Sequence, residues 1–229
     1  MPRRKSNDEP EQTAPRVKKA PSPPRSSVWI ALGVLLLALL LSFRFDLAVD
    51  QWVAGHRDLF WEGTAKACSR YFAWHFLILG AVGAGVIAWW RARRDLVRIF
   101  CVMIVAASVA GLSADILRGV LGRTRPSAKV TQGWYGPRSG SEWLIGKHAY
   151  NSFPSGHTTA ATGFALPLFF WRRRWGWVAV PFIAAVAAAR VYLGAHHLSD
   201  VLAGMLLGAL LASWIWRRFT ARSWAAEPA

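Results

Sequence analysis

The chain has 229 residues, of which 54% are apolar and only 17% charged, below the roughly 25% charge of ordinary soluble domains. The charge is lopsided, 28 Lys and Arg against 12 Asp and Glu, and the basic residues form short clusters between long apolar runs. That placement excludes a nucleic-acid binder with a continuous basic face and points to a membrane protein with basic loops.

Residues 1–27 are rich in Pro, Lys, Arg and Ser, with almost nothing to bury, which predicts a disordered basic tail. Six apolar segments follow, at 28–45, 71–90, 97–117, 156–171, 175–194 and 198–216. Most approach the roughly 20 residues that cross hydrocarbon as a helix. The first reads as a retained signal-anchor, because Phe43-Arg44-Phe45-Asp46 follows it in place of a small-residue cleavage site. The fourth is the shortest and carries Pro167. The predicted fold is all-α, a six-transmembrane-helix bundle over 28–216, with a short cytoplasmic tail at 217–229.

Charge sets the orientation. Arg91, Arg93, Arg94 and Arg98, then Arg172, Arg173 and Arg174, then Arg217, Arg218 and Arg222 fall on the same side as the N-terminal tail. The positive-inside rule therefore predicts both termini in the cytoplasm and segments 46–70 and 118–155 outside. Trp29, Trp89, Trp90, Trp171, Trp175, Trp177, Trp214 and Trp216 end apolar runs, where an indole suits the headgroup level. Cys68 and Cys101 lie in different segments, predict no disulfide and have no metal-ligand spacing.

Under this topology several ionisable residues gather at the outer ends of the helices. Arg118 closes the third segment just after Asp115, Arg190 lies near the end of the fifth, and Asp200 sits inside the sixth. Charges at membrane depth are costly and usually face a polar cavity, so their convergence predicts a site. Three strings supply its parts: Arg118-Gly-Val-Leu-Gly-Arg-Thr-Arg125-Pro126, Pro154-Ser155-Gly156-His157, and Arg190-Val-Tyr-Leu-Gly-Ala-His196-His-Leu-Ser-Asp200. Arg118, Arg125 and Arg190 offer guanidinium forks to phosphate oxygens. Pro154-Ser155-Gly156 opens a helix whose free N–H groups attract an anion. His196 and Asp200 are four apart and share a helix face, so the carboxylate would hold one imidazole nitrogen protonated and leave the other free to attack. His157 would sit across the phosphate and protonate the departing oxygen.

These strings resemble the type 2 phosphatidic acid phosphatase (PAP2) superfamily, which includes the vanadium haloperoxidases and whose pattern reads K-x6-RP, PSGH and SR-x5-H-x3-D. The spacings match: six residues between Arg118 and Arg125, five between Arg190 and His196, three between His196 and Asp200. The resemblance implies a PAP2/haloperoxidase-like core in which His196 is the nucleophile, Asp200 orients it and His157 is the general acid. Arg118, Arg125, Arg190, Ser155 and Gly156 would bind the phosphate, with no metal and no cofactor. Two positions depart from the pattern: Arg118 stands where Lys is usual, and Ala189 where Ser is usual.

The implied activity is hydrolysis of a membrane lipid phosphate, at the outer face of the inner (plasma) membrane, through a phosphohistidine. Undecaprenyl pyrophosphate, phosphatidylglycerol phosphate, phosphatidic acid and lipid A 1-phosphate are the substrates considered, with no nucleic-acid partner. The alternatives are phosphotransfer to another lipid and a non-catalytic lipid transporter or scaffold of the same fold. Other features have plainer readings. His197, His75 and His56 read as structural, and Asp115 as an ion-pair partner of Arg118. Arg172-Arg173-Arg174 reads as an inner-leaflet anchor, and Gly80, Gly83 and Gly85 as close helix packing. Arg123 stands evenly between contacting phosphate or a headgroup and a structural role, and His148 is a minor candidate for the substrate entrance.

Overall fold

The structure is a computed structural model describing residues 26–225; the expected disorder of the N-terminal tail falls almost wholly outside the described residues. Among them are eight α-helices: α1 (Ser26–Ser42), α2 (Asp46–Gly55), α3 (Leu59–Tyr71), α4 (Trp74–Trp90), α5 (Arg94–Leu121), α6 (Gly156–Trp171), α7 (Gly176–Tyr192) and α8 (Leu198–Ala225). A small antiparallel hairpin, β1 (Arg138–Ser139) and β2 (Glu142–Trp143), decorates the α5–α6 connection. Cys68 and Cys101 are free thiols.

Segment 46–70 is not an extended connection. It folds as α2, turned 75° from α1, and α3, turned 56° from α4. Asp58 starts α3 by accepting from the N–H groups of Phe60 and Trp61, an N-cap of ordinary kind. Three stretches are long and apolar enough to cross a membrane: Arg94–Leu121, Arg173–Tyr192 and Leu198–Phe219. Counting each bent pair as one span raises the number to five. The six expected spans are not reached by this measure because α6 has only 16 residues, about 24 Å of helix.

That short helix is the centre of the bundle. α6 keeps its predicted bounds through Pro167 and buries Thr158 to Gly163 continuously, packed against α5, α7 and α8. Its contact with α8 is backbone-close: a Cβ on Gly208 would lie 2.5 Å from the Thr159 carbonyl. Gly80 and Gly83, expected to permit close packing, have nothing within 4 Å of such a Cβ, because α4 lies at the periphery, where α5 is its main partner.

The half of the bundle nearest the start of α5 and the end of α8 is packed by Ile99, Val102, Met103 and Ala106 of α5 with Ala212, Ile215 and Trp216 of α8. Trp216 is buried within the bundle, its ring 5.9 Å from that of Phe170. Helix α8 continues nine residues past the predicted boundary at 216, to Ala225, so the first part of the expected tail is helical.

Candidate active site

The predicted site residues sit at the same end of the bundle because they lie at helix termini there or, for Arg125, in the connection between α5 and α6. Arg118 is in the last turn of α5, Ser155 is the residue just before α6, and Gly156 and His157 open that helix. Arg190 closes α7, His196 lies in the turn that follows, and Asp200 is in the first turn of α8. The connection 122–155 is tied across this end by main-chain bonds: Arg125 N–H to the Ala149 carbonyl (2.9 Å), Ser152 N–H to the Arg123 carbonyl (3.0 Å) and Ser155 N–H to the Asp200 carbonyl (2.9 Å).

His196 is wholly buried. Its Nδ1 lies 2.8 Å from the Ser152 carbonyl, and a carbonyl only accepts, so Nδ1 carries the proton and Nε2 keeps a lone pair. That Nε2 is buried with no hydrogen-bond partner. Burial holds the His196 ring far below the ordinary imidazole range, at about 4, against the opposing pull of Asp200. At neutral pH it is an uncharged base with one exposed valence inward.

The sequence assigned the orienting bond to Asp200, and here the structure differs. The Asp200 Oδ2 to His196 Nδ1 distance is 3.7 Å, too long for a hydrogen bond. Asp200 acts through Ser152 instead: the Ser152 hydroxyl donates to Asp200 Oδ2 at 2.5 Å while the Ser152 carbonyl takes the imidazole proton. The i,i+4 spacing brought the two groups near, and a residue 44 positions away supplied the contact.

The charges of Arg125 and Arg190 act on this ring, and the charge of Arg118 acts on both of those arginines. Arg125 is pinned by three carbonyls, donating from Nε to His148 (2.9 Å), from Nη1 to Ala195 (3.1 Å) and from Nη2 to Asn151 (3.0 Å). Burial, then the charges of Arg190 and Arg118, depress it to about 10, which a neighbouring anion would relieve. Arg118 pairs with Asp115, as expected, and packs on Gly156, where a Cβ would meet its terminal nitrogens at 3.0 Å. Arg190 donates to the Ser69 hydroxyl of α3. The Nε groups of Arg118 and Arg190 are buried without partners. All three arginines bear on the His157 ring by their charge.

The predicted phosphate-binding hydroxyl of Ser155 shares a hydrogen bond with Thr158 Oγ1 at 3.0 Å and does not cap α6. The first N–H groups of the helix are therefore left for an anion. Arg123 is resolved in favour of structure: it is buried against Asp46, Ser199 and Asp200. Sequence reasoning missed Ser152 and Asp46 because neither lies in a motif with recognised spacing; an acid placed just beyond an apolar run was the available signal for Asp46.

His197 is structural as predicted. Nδ1 faces Asp50 Oδ2 (2.6 Å) and Nε2 faces the Thr124 carbonyl (3.1 Å), two acceptors that make it an imidazolium. Burial opposes that charge, but the Asp50 hydrogen bond and the Asp200 charge raise its pKa above the ordinary value. His148 lends its carbonyl to Arg125, and the Arg125 charge lowers its own pKa. His56 bonds the Trp52 carbonyl, and His75 packs against Trp74 and Phe76. Among the described residues, no group of three or more His, Cys, Asp or Glu is arranged to hold a metal ion. A cavity of about 430 Å³ reaches His157, Gly156 and Arg118 from between α4, α5 and α6, passing Trp74, Gly111 and Leu112.

The chain is similar to known proteins. The chain is 28% identical over 131 residues to the bacitracin transport permease protein BcrC of Bacillus licheniformis, covering 57% of this chain and 61% of that protein. It is 39% identical over 107 residues to a lipid A 1-phosphatase of Rhizobium johnstonii, covering 44% and 39%. The chain thus spans less than two thirds of each relative's length. In fold it resembles the crystal structure of a transmembrane PAP2 type phosphatidylglycerolphosphate phosphatase from Bacillus subtilis, with a TM-score of 0.56, 21% identity, and coverage of 86% of this chain and 96% of that one. Residues 96–224, more than half of the chain and all three strings, match the PAP2 superfamily, and the chain is a member of that superfamily.

Proposed function

We propose that this protein is an integral membrane lipid phosphatase acting through a phosphohistidine at His196. One observation carries the reading: a buried imidazole whose Nδ1–H is fixed by the Ser152 carbonyl leaves Nε2 unpartnered amid three arginines. In the reaction, the Nε2 lone pair attacks phosphorus, the P–N bond forms and the P–O bond to the lipid breaks. His157 gives its proton to the departing oxygen. Water then attacks the phosphohistidine, His157 takes a proton from it, the P–N bond breaks and inorganic phosphate leaves. Arg118, Arg125, Arg190 and the N-terminus of α6 neutralise the non-bridging oxygens.

The membrane arrangement that suits this chemistry has six spans, α1, α4, α5, α6, α7 and α8, with α2 and α3 lying in the outer interface. Both termini are then cytoplasmic and the site faces outward, which the basic inner loops support. The cavity between α4, α5 and α6 opens beside mostly apolar residues, so a lipid phosphate reaches the arginines sideways while its chains remain in the bilayer. The substrate class is a phosphomonoester or pyrophosphate of a membrane lipid, and lipid A 1-phosphate and undecaprenyl pyrophosphate head the panel to be tested.

The test is phosphate release by the purified protein in detergent from a panel of lipid phosphates, with EDTA present. Turnover is expected with EDTA, and its loss on chelation overturns the metal-free mechanism. A radiolabelled lipid phosphate separates hydrolysis from transfer: labelled inorganic phosphate supports the hydrolase, and a labelled second lipid supports the transferase. The transport name of the Bacillus licheniformis relative motivates a second reading. It requires lipid movement across proteoliposomes without phosphate release, and that result would replace the enzyme.

A further inference from the structure

Arg123 lies between two phosphate-binding arginines in sequence but points elsewhere. Nη1 donates to Asp200 Oδ1 at 2.5 Å and to the Ser199 hydroxyl at 2.6 Å, and Nη2 donates to Asp46 Oδ2 at 2.6 Å. Its guanidinium carbon sits 4.9 Å from the Trp134 ring, 5.4 Å from Phe43 and 5.9 Å from Phe153, and the residue is 8% exposed. With its terminal nitrogens committed and aromatic rings around it, this guanidinium is not a substrate ligand.

We infer that Arg123, anchored by Asp46, is a positioning residue that sets the attack geometry of His196 through Asp200 and Ser152. The inference rests on the phosphatase reading above and deepens it. The path is continuous. Asp46 of α2 holds Arg123, and also the N–H and hydroxyl of Ser199, at 2.9 and 2.5 Å. Arg123 holds Asp200 Oδ1 by its side chain and Ser152 N–H by its carbonyl. Asp200 Oδ2 in turn accepts from the Ser152 hydroxyl and the His197 N–H, and Ser152 fixes the imidazole.

Removing the guanidinium has a definite consequence. Asp46 and Asp200 are left as two buried carboxylates without the cation between them, and such charges are strongly destabilised. Asp200 Oδ2 stands only 3.7 Å from His196 Nδ1. Once released, it competes with the Ser152 carbonyl for the imidazole proton and draws the ring off its line of attack. A displacement on the order of 1 Å costs about 10²-fold in rate. Lysine does not replace the fork, because one ammonium cannot serve three acceptors in the plane that these rings enclose.

The experiment compares wild type, Arg123→Lys, Arg123→Ala and Asp46→Asn as purified full-length proteins in detergent. It measures kcat and KM for a lipid phosphate that the wild type hydrolyses, and the inhibition constant for inorganic phosphate. Both Arg123 variants are expected to lose about 10²-fold or more in kcat, with KM and the phosphate inhibition constant within about threefold of wild type. Asp46→Asn should lose about tenfold in kcat alone. Methylguanidinium, filling the space left in Arg123→Ala, should restore activity to that variant and not to Arg123→Lys. Size-exclusion chromatography and thermal melts count only folded protein. If Arg123→Ala does not fold, Arg123→Lys decides on the same readouts. Unchanged kcat per folded molecule in Arg123→Lys overturns the inference and leaves the phosphatase standing. A rise in the phosphate inhibition constant that matches the loss in kcat/KM also overturns it, making Arg123 a phosphate ligand. A wild type that releases no phosphate from any lipid phosphate overturns the enzymatic reading, and this inference with it.

Discussion

At the end of the bundle away from the site, Ile99, Val102, Met103, Ala212, Ile215 and Trp216 meet as side chains of complementary volume. At the site end, Asp46, Arg123, Ser152, His196, His197, Ser199 and Asp200 are just as buried, yet nearly every contact is a directed hydrogen bond between charged or polar groups. Lipid is as apolar as the first cluster, so that cluster is held by packing and not by escape from water. Its members tolerate exchange at similar volume. The polar network has no such latitude, because each polar group there relies on one particular partner and loses it outright when that partner is changed. Stability and chemistry are therefore separable along the helix axis: Met103 lies fifteen residues below Arg118 on α5, about 22 Å away.

The sharpest break of that separation is His196→Ala. It should lower phosphate release by about 10⁴-fold or more while leaving membrane insertion and detergent melting close to wild type. Robust turnover by this variant would reject the nucleophile assignment. Next comes Arg125→Lys, which loses the fork held by three carbonyls and should reduce kcat/KM by about 10²–10³-fold. A loss smaller than tenfold would mean that Arg125 supports the loop more than the phosphate.

Helix packing should behave in the opposite way. Gly208→Val drives a side chain of α8 against the Thr159 backbone of α6 and is expected to destabilise by about 1–3 kcal/mol. Met103→Ala should cost about 2 kcal/mol, the low end for a cavity, since lipid and not water is the reference. Both are read as melting temperature in detergent, with turnover per folded Met103→Ala molecule unchanged. A drop in that specific activity would show the two ends to be coupled.

The smallest effect concerns acid. The folded pKa of His196 is about 4, below its ordinary 6.5. Its ring therefore stays neutral and nucleophilic between pH 7 and pH 5, and kcat/KM should show no acid limb from His196 until about pH 4. Stability follows the same shift: the unfolded chain takes up this proton below about 6.5 while the folded one does not, so the His196 contribution fades as pH falls toward 4. His197 runs the other way. Its raised pKa stabilises the fold below 6.5 and loses that contribution as pH rises through the folded value. Asp50→Asn should flatten this alkaline loss in melts taken across pH 6–9.

Much of the site was legible before any coordinates. The bounds of α6, the positions of Arg118, Arg190, His157, His196 and Asp200 at helix ends, and Arg125 in the connection between α5 and α6 follow from apolar runs and three spaced strings. Arg123 shows where legibility stopped. Its neighbours along the chain are the arginines proposed to bind phosphate, and nothing local distinguishes it from them; its partner Asp46 is 77 positions away. Asp200 shows the same limit more finely. Spacing put it beside His196, but whether it bonds the ring or bonds Ser152 is a matter of about 1 Å, which helical periodicity does not resolve.

What the sequence by itself determined is the class of structure and the inventory of reactive groups, because hydropathy sets what lies in lipid and fixed spacing sets which side chains share a helix end. Only the tertiary structure decided who holds whom. It bent α2 back over the site, buried Trp216, left Gly80 and Gly83 facing open space and gave the His196 proton to a main-chain carbonyl. Such pairings depend on where helices distant in sequence meet, as Asp46 and Ser199 do across 153 residues, and hydrogen-bond strength falls off over distances shorter than a side chain.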